Sequence, residues 1–423
     1  MRILMTNWLY APEFSGAALQ CHRLSLQLAK LGAKVEILAG TDDDHLVGRS
    51  EVDGIPVIRV LRNKSTLQQH LQFGWNLFRY IVGNRARYDL LHSHGFLAPV
   101  SLAAKVTGLP LVQKITNLQI DDPMAVRARA LGALQFRLYR RASAVIATSG
   151  LLENICRECL MDEDQILRIP NGVDKDVFSP ASIEEKNLMR RKYHIPADKI
   201  IMLTVGTVSA TKGMDMLIRA FYTLRKSLHS EPLLLVVGPH SYARGFCSKD
   251  PCTERFSRWV STLVEEYGLQ QSVRFEGVQP DVHEYMKAAD LYIHPSRREG
   301  QPNAVLEAMS CGLPTVANLI HGITDEVLQS GRFGYLVDGE ESGMFAAALK
   351  VLIKNPSLRV RLGQNARAEI LEKYDIALIA KQYMQLYRQL VYDKEVKISG
   401  PKTCIARIDN FTMEHKRIEQ KRN

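Results

Sequence analysis

The sequence predicts an α/β protein built from two parallel, doubly wound sheets. Three observations carry that prediction. At 423 residues the chain is too long for one ordinary core, and two domains of about 170–200 residues are expected instead. Apolar strand-like runs alternate with helical segments in the first half, the pattern of a parallel sheet with crossover helices. The alternation then restarts after residues 169–180.

In order, residues 3–9 form an apolar first strand, and residues 16–31 a helix stopped by Gly32. Short strands follow at 35–38 and 57–60, then a helix at 67–82. Residues 89–94 read as strand running into loop, 111–115 as a strand, 124–140 as a helix and 144–147 as a strand. The second set of strands is 200–205, 233–237, 273–275, 291–294 and 315–317. An amphipathic helix at 376–392 closes the pattern. The tail, 393–423, mixes eight Lys/Arg with five Asp/Glu without apolar periodicity and reads as a mobile basic extension, a short helix being the alternative. There is no short-period repeat and no low-complexity tract.

Composition narrows the function. Apolar content of 46% and charged content of 24% are those of a soluble globular protein. The first residues lack a signal-peptide core, and no apolar run is long enough to span a bilayer, so a cytoplasmic location is expected. Seven cysteines spread over the chain argue for reduced thiols rather than a disulfide framework. Cys156 and Cys159 lack the second half of a zinc site, and Cys247 and Cys252 read as a surface loop. The net charge of +10 suits nucleic acid, anionic lipid or phosphorylated substrates. No nucleic-acid recognition motif is present, which disfavours that partner. The first strand is followed by no G-x-G-x-x-G, which counts against a dinucleotide-dependent oxidoreductase.

Residues 295–314, P-S-R-R-E-G-Q-P-N-A-V-L-E-A-M-S-C-G-L-P, carry the most functional information. Strand 291–294 should lead through a loop into a helix at 303–310, with Pro302 where a missing amide costs nothing. The free amides and partial positive charge of that helix start make a seat for a diphosphate. Glu299 lies in the loop beside the seat, and Glu307 comes just over a turn inside the helix. One carboxylate can face a reacting sugar while the other reaches ribose hydroxyls. Gly16 opens the helix after the first strand, where a residue without Cβ allows close approach of a phosphate or sugar; a plain helix start capped by Ser15 is the alternative. His94 ends a strand and should also face the cleft.

The string E-G-x-P-N-x-x-L-E-A-M-x-x-G-x-P resembles the Glu-x7-Glu signature of the retaining glycosyltransferases of family 4. Residues 141–149, 169–180, 205–213, 273–290 and 361–369 resemble further segments of that family, so the likeness runs from about residue 1 to 392. It implies the GT-B architecture: two Rossmann-like doubly wound domains facing a central cleft. Residues 1–170 would form the acceptor domain and 171–375 the nucleotide-sugar domain, with helix 376–392 crossing back to the first. It implies that Lys212 clamps the diphosphate, Glu307 holds the ribose, and Glu299 with the backbone of Gly300, Gln301, Pro302 and Asn303 holds the transferred sugar. Glu299 as nucleophile and a front-face reaction, in which the leaving phosphate deprotonates the acceptor, both fit. The donor would be a nucleotide-diphosphate sugar and the acceptor a glycan or lipid-linked saccharide, in cell-surface polysaccharide or glycolipid synthesis. No cofactor and no metal are expected; Asp42, Asp43 and Asp44 read as a solvated acidic turn.

Two departures from the family pattern stand out. Thr207 occupies the place of a common phosphate-loop arginine; Arg297 or Arg298 could swing in to replace it, the alternative being a loop side chain that is simply solvated. Residues 112–117 lack the usual histidine and offer Lys114, Thr116 and Asn117: either the sugar is held differently, or acceptor recognition has shifted to this loop with Asp121 and Asp122. Finally, residues 124–141 interleave five arginines with Leu131, Leu134, Phe136, Leu138 and Tyr139. They read either as a basic amphipathic helix lying on an anionic membrane, on its inner face, or as a domain helix with its arginines in water. Phe73, Trp75, Phe78 and Tyr80 add an aromatic segment that could bind an acceptor or merely pack.

Overall fold

The computed structural model describes residues 1–13, 16–62, 67–228, 231–240, 251–338 and 341–396. Ser15 and residues 397–423 of the tail therefore lie outside the described residues, as does Cys247.

The first domain contains β1 (Arg2–Asn7), α1 (Gly16–Lys30), β2 (Lys34–Thr41), β3 (Gly48–Val52), β4 (Ile55–Leu61), α2 (Leu67–Gly83), β5 (Leu90–His94), α3 (Ala98–Thr107), β6 (Leu111–Lys114), α4 (Pro123–Arg127), α5 (Gly132–Tyr139), β7 (Ala144–Ala147), α6 (Gly150–Glu158) and β8 (Ile166–Arg168). Its sheet runs β3-β4-β2-β1-β5-β6-β7-β8, parallel except for β3. The second domain contains α7 (Ile183–Lys192), β9 (Ile201–Val205), α8 (Met214–Lys226), β10 (Leu233–Val237), α9 (Pro251–Glu266), β11 (Val273–Gly277), α10 (Val282–Ala288), β12 (Leu291–His294), α11 (Asn303–Ser310), β13 (Thr315–Asn318), α12 (Thr324–Leu328), β14 (Gly334–Val337), α13 (Ser342–Lys354) and α14 (Pro356–Glu369). Its sheet is β11-β10-β9-β12-β13-β14, all parallel.

Both sheets are covered on both faces, which is why their strands read as continuous apolar runs. In β1, Leu4 joins the core under α2, α3, α5 and α6, while Ile3 and Met5 join the opposite core under α1. The last helix, α15 (Ile376–Val396), belongs to that second core through Ile379, Tyr383, Met384 and Tyr387. Each such buried side chain is worth about 1.5–3 kcal/mol, enough to hold the chain's end on the first domain.

Three sequence readings need correction. The helix expected over 124–140 is two short helices: Leu131 has φ +57°, and a Cβ on Gly132 would stand 2.0 Å from the Arg127 carbonyl oxygen, so the chain turns sharply there. Strands β3, β8 and β14 were not foreseen: all three are sheet edges, β3 a largely exposed antiparallel one without an apolar run, the other two only three and four residues long. The last helix extends to Val396 rather than 392.

Each sheet reverses strand order once. The reversal lies between β1 and β5 in the first sheet and between β9 and β12 in the second. Ligands bind outside strand carboxyl ends at such switch points, and here the two switch points face each other.

Candidate active site

A cavity of about 450 Å³ fills the cleft between the switch points. Glycines bring its walls together. Gly213 has φ +65°, and a Cβ there would fall 2.0 Å from the Pro295 carbonyl oxygen. Only glycine therefore lets the β9–α8 loop lie against the end of β12. Arg297 stitches the same loops, giving its amide to the Thr211 carbonyl (2.9 Å) and its guanidinium to both oxygens of Asp215 (2.8 and 3.0 Å).

The stitching sets Lys212 against Glu299. Lys212 Nζ donates to Glu299 Oε1 at 2.6 Å, and His294 Nε2 stands 3.1 Å from the same oxygen. Burial alone would raise the Glu299 carboxyl, but the Lys212 charge and the His294 hydrogen bond outweigh it and hold the group well below the usual carboxylate range. Its neighbours thus favour the ionised form of Glu299. Helix α11 starts at the cavity wall, where Pro302, Asn303 and Ala304 all line the space. Its first amides have no partner within the helix.

Glu307 also lines the cavity and is 5% exposed. Its Oε1 lies 2.7 Å from Nη1 of Arg23, which reaches across from α1. The contact is ionic, since neither atom is aligned in a hydrogen bond. Arg23 also stacks over Phe178, 5.0 Å from the ring centre. Asn303 accepts from Asn171 Nδ2 at 2.7 Å and points its own amide at the Gly16 carbonyl, 3.5 Å away. Gly300 abuts the first domain: a Cβ there would meet the Thr116 carbonyl oxygen at 2.7 Å.

On the N-terminal side the wall includes Gly16, Gln20, His94, Lys114, Thr116 and Asn117. His94 is 1% exposed, and burial, His92 and Lys114 keep its imidazole neutral. Thr207 lines the cavity as well.

Of the residues singled out from sequence, the cleft thus brings together Glu299, Lys212, His94, Gly16, Gly300, Gln301, Pro302, Asn303, Glu307, Thr207 and Asn117. Three stand elsewhere. Arg298 does not line the cavity; its guanidinium reaches Gln119 at 3.4 Å. Arg297, the other proposed substitute for the missing phosphate-loop arginine, is held by Asp215. Asp121 is buried and faces its own loop, accepting from the amides of Thr116 (2.9 Å) and Asn117 (2.6 Å) and from Thr116 Oγ1 (2.7 Å). It shapes the loop that presents Asn117 rather than meeting a ligand. Sequence reasoning missed His294 and Arg23, and it marked Lys114 only as part of the loop that could hold the sugar or the acceptor. The strand-end rule that picked out His94 applies equally to His294 and Lys114; Arg23, inside an ordinary amphipathic helix, carries no such signal. Among the described residues no group of three His, Cys, Asp or Glu side chains is placed to hold a metal.

Comparison with known proteins decides the family. Residues 15–172 match the family described as Glycosyl transferase 4-like domain, and residues 185–369 match Glycosyl transferases group 1. The chain is 32% identical over 319 residues to a D-inositol 3-phosphate glycosyltransferase of Nocardiopsis dassonvillei, covering 72% of each protein. This chain belongs to the family 4 glycosyltransferases. An uncharacterized glycosyltransferase of Methanocaldococcus jannaschii is 25% identical over 409 residues, covering 92% of this chain and 98% of its own. Among solved structures, Anabaena HepE in complex with UDP and glucose superposes with a TM-score of 0.74 at 21% identity, covering 91% of this chain and 99% of that one. The glycosyltransferase therefore has the GT-B fold, two Rossmann-like domains across one cleft.

Proposed function

We propose that this glycosyltransferase moves a hexose-type sugar from a nucleotide diphosphate to a glycan or lipid-linked saccharide, with retention and without a metal, in making a cell-surface polysaccharide or glycolipid. The observation that carries the reading is the Lys212–Glu299–His294 cluster beside the α11 start. Preorganised donors aimed at a leaving diphosphate are the main source of help such a reaction needs. The amides of Asn303 and Ala304 and the Lys212 ammonium would take the diphosphate, Glu307 the ribose, and Glu299 the hydroxyls of the transferred sugar. A carboxylate held so far below the usual range is a poor nucleophile, so the front-face route is preferred, with His94 beside the acceptor. HepE, solved with UDP and glucose, makes UDP-glucose the first donor to try.

A membrane-bound acceptor fits the outer face of the first domain. Helices α2, α3 and α5 cover the same side of the sheet. Leu71, Trp75, Met124, Leu131 and Leu134 are exposed there among the exposed arginines 127, 129, 137, 140 and 141. Apolar tips among cations suit the interface of an anionic leaflet. Among the described residues no helix is long and apolar enough to cross a membrane.

The test is nucleotide release from UDP-, GDP- and ADP-sugars, with and without EDTA, by wild type, Glu299→Ala and Glu307→Ala. Release from one donor, insensitive to EDTA and lost in both variants, is expected. Silence across the panel together with a thermal shift from a nucleotide would instead favour a binding-only relative, the reading that Thr207 in place of the phosphate-loop arginine supports; silence with no shift would point to a donor outside the panel.

A further inference from the structure

The cleft has two positive poles, and only one is balanced. On the C-terminal side Lys212 is paired with Glu299. On the N-terminal side Lys114, the last residue of β6, lines the cavity and is 3% exposed. Its ammonium lies 5.8 Å from the centre of the Tyr383 ring, and among the described residues no carboxylate forms an ion pair with it. The one acidic group acting on it is Cys21, whose own thiol burial pushes up to about 12, so it stays neutral. His94 stands in the same wall with both ring nitrogens buried and unpartnered. Behind it His92 packs at 4.3 Å between ring centres and is bonded through Nδ1 to Tyr387 Oη at 2.6 Å. A buried cation without a counter-ion is costly, and imidazoles kept neutral cannot offset it but can donate a hydrogen bond. That combination suits an incoming anion.

We propose that Lys114 and His94 form an anion-accepting subsite on the N-terminal side of the cleft, which takes a carboxylate or phosphate ester carried by one of the two sugars that meet there. The inference rests on the nucleotide-sugar reading above and deepens it: the diphosphate belongs to the Lys212 side, so the anion at Lys114 is a further one. Burial lowers the Lys114 ammonium to about 8, so it is charged at neutral pH and an anion would strengthen that charge.

Calorimetric titration of the full chain with two matched pairs tests this. The first pair is UDP-glucose against UDP-glucuronic acid; the second, with UDP saturating, is glucose against glucose 6-phosphate. Wild type should hold the charged member of one pair at least about tenfold more tightly, as charge-assisted contacts do. Lys114→Met should erase that preference and keep its UDP affinity within about twofold. Discrimination in the first pair assigns the anion to the transferred sugar, in the second to the acceptor. Equal affinities in both pairs, or a preference that survives Lys114→Met, would overturn the proposal. If Lys114→Met no longer binds UDP, Lys114→Gln takes its place with the same outcomes. Wild type that binds no UDP removes the nucleotide reading and the subsite with it, whereas UDP binding without discrimination removes the subsite alone.

Discussion

Glu299 is useful to this site because of what surrounds it. One of its oxygens is shared by Lys212 and His294, so its charge is fixed before any ligand arrives. Glu299→Gln keeps the shape but leaves Lys212 without its anion, and Lys212→Met does the reverse. Both should lower kcat for donor hydrolysis by about 10²–10³, the cost of one preorganised electrostatic partner. A loss under tenfold in both variants would place the chemistry elsewhere. Asp121 shows the opposite balance: burial pushes its carboxyl up to about 6, against the pull of three hydrogen bonds from Thr116 and Asn117. Its unfolded value is about 3.9. The folded state therefore holds that proton more tightly, and the associated stability is full below about pH 4 and lost as pH rises through about 6. Asp121→Asn cannot titrate, so the melting temperature of wild type minus that of the variant should fall across this window, by an amount equivalent to about 2–3 kcal/mol. A difference that is flat in pH would show the carboxylate is not strained.

At the level of elements, the interdomain segment meets the last crossover in one tight bridge, where a hinge between the lobes is expected. Val173 donates to the Tyr374 carbonyl at 2.8 Å and accepts from the Ile376 amide at 3.0 Å, forming a parallel bridge to Asp375. Gly172 sits so close that a Cβ would be 2.6 Å from Ile376 Cα. Below the bridge, Arg367 donates to the carbonyls of Lys175 (3.1 Å), Phe178 (2.9 Å) and Ser310 (2.9 Å), which ties the rest of the segment to the second domain. A rotation of the lobes would then be confined to a few residues. Gly172→Val should part the two strands, lowering the melting temperature by several degrees, about 1–3 kcal/mol for overpacking, and raising KM for the donor. An unchanged KM with a lowered melting temperature would separate packing from hinge motion. The strand–loop–helix unit around Glu299 was legible in the sequence because Pro302, the apolar run of β12 and the helix start are local signals. The break within 124–140 was not, because Leu131 has a left-handed backbone without being glycine, a conformation that local propensity disfavours and tertiary packing imposes.

For the molecule as a whole, the polar contacts by which the two lobes meet include Arg23 with Glu307, Asn171 with Gln301 and Asn303, Arg298 with Gln119, and Arg168 and the Gly150 amide with Glu326. Glu307, the residue expected to hold ribose, is therefore engaged across the cleft by Arg23. Arg23→Ala should loosen the lobes, seen as a larger radius of gyration by small-angle scattering, and saturating UDP should restore the smaller value. The same radius in both proteins without ligand would show that the pair does not hold the cleft.

The sequence by itself determined the doubly wound α/β class and the strand–loop–helix unit around Glu299, because apolar periodicity, strand ends and first-turn prolines are written within a few consecutive residues; the family and its two-domain architecture came from the resemblance carried by the Glu-x7-Glu segment. The sequence marked Arg298 and Asp121 by type and position alone, and the folded chain directs both away from the cavity. Only the tertiary structure decided that Arg23 faces Glu307, that Lys114 is buried without a counter-ion, and that Gly300 lies against Thr116. The physical reason is common to all of them: a side chain's partner, and with it its charge state and its role, is set by segments remote in sequence that meet only once two independently wound sheets face each other.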